Sequence, residues 1–133
     1  MIDKNILKTC HGEGFKEDDV FEAYKIFFGT LVSEPRIKII NSLRKKEKNV
    51  SELIEELEMD QTAISHNLSR LKKCGFVYGS RDGKFVYYAL NEATVRPLMD
   101  LIDKHMQKHC IHILKELKEK SEKSKSEIFS HSP

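Results

Sequence analysis

Along most of the chain, apolar residues recur at intervals of three and four, the spacing that gathers them on one side of an α-helix. The first such run starts near Glu17, where Val20, Phe21, Tyr24, Phe27, Phe28 and Leu31 make one wide apolar face. Asp18 and Asp19 fall in its first turn, where carboxylates suit the positive end of the helix dipole. A second helix is predicted from Pro35, because proline is preorganised for the first helical position; Ile39, Ile40 and Leu43 are its buried side. The charged run KKEK then reads as a solvated connection. Ser51 reads as the N-cap of a short third helix carrying Leu53, Ile54 and Leu57. After a turn at Glu58-Met59, Asp60 caps a fourth helix in which Ile64, Leu68 and Leu71 repeat. It ends at Cys74-Gly75, with glycine where helices commonly stop.

Beyond Gly75 the period changes. FVYGSR and KFVYYAL are rich in valine and aromatic residues, and the Asp82-Gly83 pair between them signals a two-residue hairpin. Tyr78, Tyr87 and Tyr88 read as sheet-packing residues. Helical spacing returns at about Glu92, with Leu98, Ile102, Met106, Cys110, Ile113 and Leu117 along one stripe. Both ends lack such a pattern. Residues 1–16, with Gly12 and Gly14, read as a flexible arm, and residues 118–133, rich in Lys, Glu and Ser, as a polar disordered tail. The expectation is one domain over residues 17–117, mainly α with a small β-hairpin, in the order α-α-α-α-β-β-α. That is the order of a winged helix-turn-helix.

The fourth helix points to a function. Opposite its apolar side lie Thr62, Ser65, His66, Ser69 and Arg70, with Gln61 at the N-terminus and Lys73 near the end. These are short or forked hydrogen-bonding groups, not the Glu/Lys mixture of a solvated face. Gln can bond adenine by two contacts, Arg can do so with guanine, and Ser or Thr reaches base edges or phosphates. Free amides at the helix N-terminus suit a phosphate. Arg81 and Lys84 flank the hairpin tip, where a wing reaches the DNA backbone or minor groove.

Charge and length set the bounds on that reading. The 133 residues carry 23 Lys and Arg against 21 Asp and Glu, so the net charge is only +2 and any DNA surface must come from local clustering. No apolar run approaches the ~20 residues that span a bilayer, and the first residues lack the apolar stretch of a secretory signal, so a cytoplasmic protein with no membrane partner is expected. Three cysteines, Cys10, Cys74 and Cys110, lie far apart, which does not suggest a disulfide framework. No Gly-rich phosphate loop and no nucleophile with a base and orienting group can be picked out, so an enzyme is not expected.

The stretch from Leu31 to Leu90 resembles the ArsR/SmtB family of metal- and metalloid-responsive repressors. The resemblance rests on EPRIKII in the second helix, DQTAISHNLSRLKKCGFV through the fourth, and RDGKFVYYAL in the hairpin. It implies a homodimer joined through the first and last helices. Such a dimer binds an inverted-repeat operator in double-stranded DNA and is released by an effector.

The resemblance also locates possible metal ligands. Where some members carry a cysteine pair before the recognition helix, this chain has Asn49 and Ser51, so that arsenic- or lead-type site is absent. The site between paired last helices aligns with Glu92, Thr94, His105 and Lys108, of which only Glu92 and His105 can ligate. Read from the residues alone, His105, His109, His112 and Glu116 are spaced four, three and four along one helical stripe, with Cys110 beside it and Cys10 and His11 in the arm. Imidazole with thiolate suits Zn(II) or another transition metal as effector, although DNA binding itself requires no cofactor. Two alternatives stay open: a metal-independent or thiol-redox-responsive DNA-binding regulator, and a winged-helix protein-interaction module.

Overall fold

The computed structural model describes residues 2–130, with side chains to residue 125. The chain divides between Asn91 and Glu92 into two compact units.

The first unit holds α1 (Lys4–Gly12), α2 (Glu17–Val32), α3 (Glu34–Lys45), β1 (Lys48–Asn49), α4 (Val50–Leu57), α5 (Gln61–Lys73), β2 (Val77–Asp82) and β3 (Phe85–Leu90). Its core is built from positions the apolar spacing picked out on α3, α4 and α5, joined by the start of the hairpin, whereas most of the apolar face expected on α2 is not buried: only Val20 of it is. Ile39, Ile40, Leu43, Leu53, Ile64, Leu68, Leu71, Phe76, Val77 and Leu90 are all buried. Phe27 of α2 stacks on Phe76 with ring centroids 5.0 Å apart, tying that helix to the entrance of the hairpin.

Several expectations are corrected here. Residues 4–12 are a helix, not a flexible arm: Asp3 caps it by accepting from the Asn5 amide at 2.8 Å, and Ile6 faces a small apolar cavity shared with Val20, Ala23, Tyr24, Phe27 and Phe28. Met1 lies outside the described residues. The α4 cap is Asn49, not Ser51. The Asn49 side chain accepts from the Glu52 amide at 2.9 Å while Glu52 accepts from the Asn49 amide at 3.1 Å, so two otherwise orphaned donors are satisfied together. The KKEK run is not wholly solvated either, because its last lysine, Lys48, is buried in β1.

The sheet has three antiparallel strands in the order β1-β3-β2, so a short strand ahead of α4 completes the wing. Asp82 pairs with Phe85, which moves the tight turn to Gly83-Lys84, one residue beyond the Asp82-Gly83 pair expected. Gly83 has φ +63° and Lys84 has no positive φ; glycine at the first central position is the requirement of a II′ hairpin.

The second unit is one helical run: α6 (Val95–His105), a π-helical turn (Met106–Cys110) and α7 (Ile111–Ser130). Arg96 pairs with Glu92 at its start, and Val95 and Met99 are buried. The stretch read as a disordered tail from residue 118 is helical as far as Ser130. Its Lys and Glu are good helix formers, and Glu116–Lys120 and Glu119–Lys123 have the favourable Glu-to-Lys spacing of four. Residues 131–133 of that stretch lie outside the described residues.

Candidate nucleic-acid interface

The geometry of α5 follows from its two ends and its buried side. Asp60 accepts from the Ala63 amide at 2.7 Å and so fixes the start. At the other end Gly75 takes φ +76°, its amide bonds Lys72 O at 3.1 Å, and the Phe76 amide bonds Leu71 O at 2.9 Å. This double closure satisfies the last carbonyls and drives Phe76 into the core. Ile64, Leu68 and Leu71 are at most 1% exposed, so the helix can turn only one side outward. That side carries Gln61, Thr62, Ser65, His66, Ser69, Arg70 and Lys73, all exposed. On the wing, Arg81 lies on β2 just ahead of the turn and Lys84 in the turn itself, both exposed.

Three polar anchors hold this surface, and sequence reasoning missed all of them. Asn67 lies on the inner side of α5, 8% exposed, and donates to Ala63 O at 2.8 Å. Its Oδ1 accepts from Arg36 at 3.3 Å, while Arg36 Nε donates to Thr30 O at 2.8 Å and its other terminal nitrogen reaches Gly29 O at 3.4 Å. One guanidinium thus links the last turn of α2 to the middle of α5. The third anchor is Lys48, whose Nζ donates to Ser42 O at 2.8 Å and Ser42 Oγ at 2.7 Å and pairs with Glu56 at 2.8 Å. Hydrogen bonds from Lys48 and Ser42, with the nearby charges of Lys48 and Lys45, hold the Glu56 carboxyl down at about 2. A polar residue at an apolar helical position, as Asn67 is beside Leu68, was the available signal.

The candidate metal ligands do not converge. The His105 and His109 rings lie with centroids 4.8 Å apart, but among the described residues no three His, Cys, Asp or Glu side chains are grouped to hold an ion. The π turn gives the reason: one extra residue rotates everything after it by about 100°. His112 and Glu116 therefore leave the stripe that unbroken α-helical spacing put them on. Cys110 is half-buried within the π turn. His11 is exposed and Cys10 half-buried on α1, and Cys74 sits beside Thr30 with Sγ 3.5 Å from its hydroxyl. No disulfide joins the three cysteines.

Residues 33–78 match the sequence family of bacterial regulatory proteins, arsR family. The chain carries an arsR-family domain. It is 36% identical over 70 residues to the HTH-type transcriptional regulator NmtR of Mycobacterium tuberculosis, covering 53% of this chain and 58% of that protein. It is also 36% identical over 76 residues to the cadmium resistance transcriptional regulatory protein CadC of Listeria innocua, covering 56% of this chain and 64% of that one. The matches thus span less than two thirds of either relative's length. A solution structure of the homodimeric winged helix-turn-helix DNA-binding domain of Mb0332 from Mycobacterium bovis, a possible ArsR-family regulator, aligns with a TM-score of 0.66 at 25% identity over 72% of this chain and 89% of that one. The fold of the arsR-family domain is a winged helix-turn-helix. The names of these relatives are those of regulators, not of enzymes.

Proposed function

We propose that the chain is a cytoplasmic, homodimeric repressor that binds an inverted-repeat operator in double-stranded DNA. The observation that carries this reading is the outward face of α5: seven polar or basic side chains exposed on a helix whose other side is fixed in the core. Gln61, Thr62, Ser65 and His66, nearest the N-terminus, read base edges; Ser69, Arg70 and Lys73 extend that surface; Arg81 and Lys84 on the wing hold the backbone. Dimerisation is supported by α2, where Phe21, Ile26, Phe28 and Val32 are 52%, 51%, 60% and 79% exposed, more apolar surface than a lone domain leaves bare. The homodimeric relative from Mycobacterium bovis supports it as well.

We assign release of the operator to a transition metal such as Zn(II); that one relative is named a cadmium resistance regulatory protein supports a metal as effector. Among the described residues of one chain, His105 and His109 are the imidazole pair brought together, whereas such an ion takes about four ligands. A second copy of the pair across a dimer axis supplies the other two. The effector then acts by favouring a dimer whose recognition helices are mis-spaced for successive major grooves.

The test is selection of a duplex from a random library, followed by binding measurements over a range of salt. A DNA-binding regulator gives a selected inverted repeat and an affinity that falls steeply with salt. Absence of any salt-dependent duplex binding overturns the proposal.

A further inference from the structure

A cavity of about 370 Å³ runs along the flank of α5, lined by Arg36, His66, Ser69, Arg70 and Lys73. Four of these follow helical spacing on α5 itself; the fifth, Arg36, comes from α3. No carboxylate is among the five. The lining is three full cations, an imidazole and a hydroxyl, all of which can donate hydrogen bonds.

Arg36 is held in a fixed pose. Its guanidinium has five N–H groups, and three of its hydrogen bonds go to Thr30 O, Gly29 O and Asn67 Oδ1. Asn67 is oriented in turn, because its amide nitrogen is committed to Ala63 O and its oxygen must therefore face Arg36. A guanidinium clamped on one side, with its remaining donors beside a cavity of like charge, is prepaid for an anion: little side-chain freedom is left to lose on binding.

We propose that this cavity is a docking site for one phosphate of the DNA backbone, and that Arg36, outside the recognition helix, contacts that phosphate and fixes how deeply α5 enters the groove. The proposal rests on the DNA-binding reading above. A backbone phosphate and free inorganic phosphate share the chemistry, and the experiment separates them.

The affinity of the full chain for its selected duplex is measured against salt for wild type and Arg36→Gln. The same measurements are made on duplexes in which single phosphates are replaced by neutral methylphosphonates. Loss of one phosphate contact makes the log–log salt slope shallower by about 0.9, and the weakening is equal on matched and mismatched sequences. One methylphosphonate position that weakens wild-type binding leaves Arg36→Gln unaffected. Should Arg36→Gln not fold, Arg36→Lys is used: it keeps the charge but loses the fork, and the penalty at that same phosphate shrinks. A wild-type slope unchanged in the variant, with every methylphosphonate position still costing the same, overturns the phosphate site while leaving the DNA reading intact. So does millimolar inorganic phosphate that binds wild type through Arg36 when the variant has lost no DNA contact. Failure of wild type to bind any duplex overturns the DNA reading itself.

Discussion

The ammonium of Lys48 lies 2.8 Å from the Glu56 carboxylate, and the two partners have very different access to water: the Lys48 side chain is 7% exposed, that of Glu56 32%. The pair joins β1, at the edge of the wing, to α4 and, through Ser42, to α3. Removing either partner therefore has unequal consequences. Glu56→Leu strands a buried ammonium with only Ser42 for company and is expected to cost roughly 3 kcal/mol, the lower end for a broken buried pair. Lys48→Met leaves a carboxylate that water can reach and is expected to cost about 1 kcal/mol or less. Urea unfolding of the two variants checks the order.

The same pair sets a pH dependence. The Glu56 carboxyl titrates at about 2 in the fold against an ordinary value of 4.5. A depressed carboxyl contributes its stability in full above the ordinary value and loses it as pH falls toward the folded one. The stability gap between wild type and Glu56→Gln is thus expected to be constant above about pH 5 and to close between pH 4.5 and 2. A gap that instead changes near neutrality contradicts this assignment.

Gly75 makes a sharper statement about the end of α5. A Cβ placed there meets nothing within 4 Å, yet φ is +76°. The cost of Gly75→Ala is then purely conformational, about 1–2 kcal/mol, and Gly75→Asn, which tolerates the left-handed region better, costs less. Equal destabilisation by the two, in thermal or urea melts, means that space and not backbone conformation decides the position.

How far the sequence announced this molecule depends on which force shaped each part. Burial with helical period is written in the apolar positions, so Ile39, Ile40, Leu43, Leu53, Ile64, Leu68 and Leu71 were legible, and with them the outward face of α5. Features set by single polar contacts were not. Arg36 and Asn67 sit in ordinary amphipathic patterns, and only the fold brings them together across 31 positions. Lys48 looked like one more charge in KKEK until β1 buried it. Asn49 outcompeted Ser51 as a cap because Glu52 stands three residues after it, a capping-box spacing visible in advance. The π turn at Met106–Cys110 has no comparable signature, and it broke the stripe on which the histidine reading depended.

Specificity and affinity are expected to separate on the DNA surface. Arg70 and Ser65 lie on the exposed side of α5, where forked and hydroxyl donors can meet base edges, whereas Lys84 stands at the wing turn. Arg70→Ala and Ser65→Ala should relax sequence preference, with about 1–3 kcal/mol of discrimination lost for a bidentate guanine contact. Lys84→Ala should weaken all duplexes alike and reduce the salt slope by about one phosphate. Competition binding on the selected operator and its single-base variants reads both effects at once. Uniform weakening by Arg70→Ala places that residue on phosphate.

The helix containing His105 and His109 offers the most direct test of effector coupling. Their ring centroids lie 4.8 Å apart with the planes tilted by 39°, while His112 falls beyond the π turn. If paired histidines from two copies hold one ion, the stoichiometry is one metal per dimer, and His105→Ala and His109→Ala each abolish it while His112→Ala does not. Coupling between metal and operator then appears as a loss of DNA affinity of about 5–150-fold on adding Zn(II), absent in the first two variants and retained in the third. By reciprocity, operator DNA must weaken Zn(II) binding by the same factor, so isothermal titration of metal into the free and DNA-bound dimer measures one coupling from both sides. Zn(II) that binds with His112 essential, or that leaves operator affinity unchanged at saturation, removes this pair as the sensor.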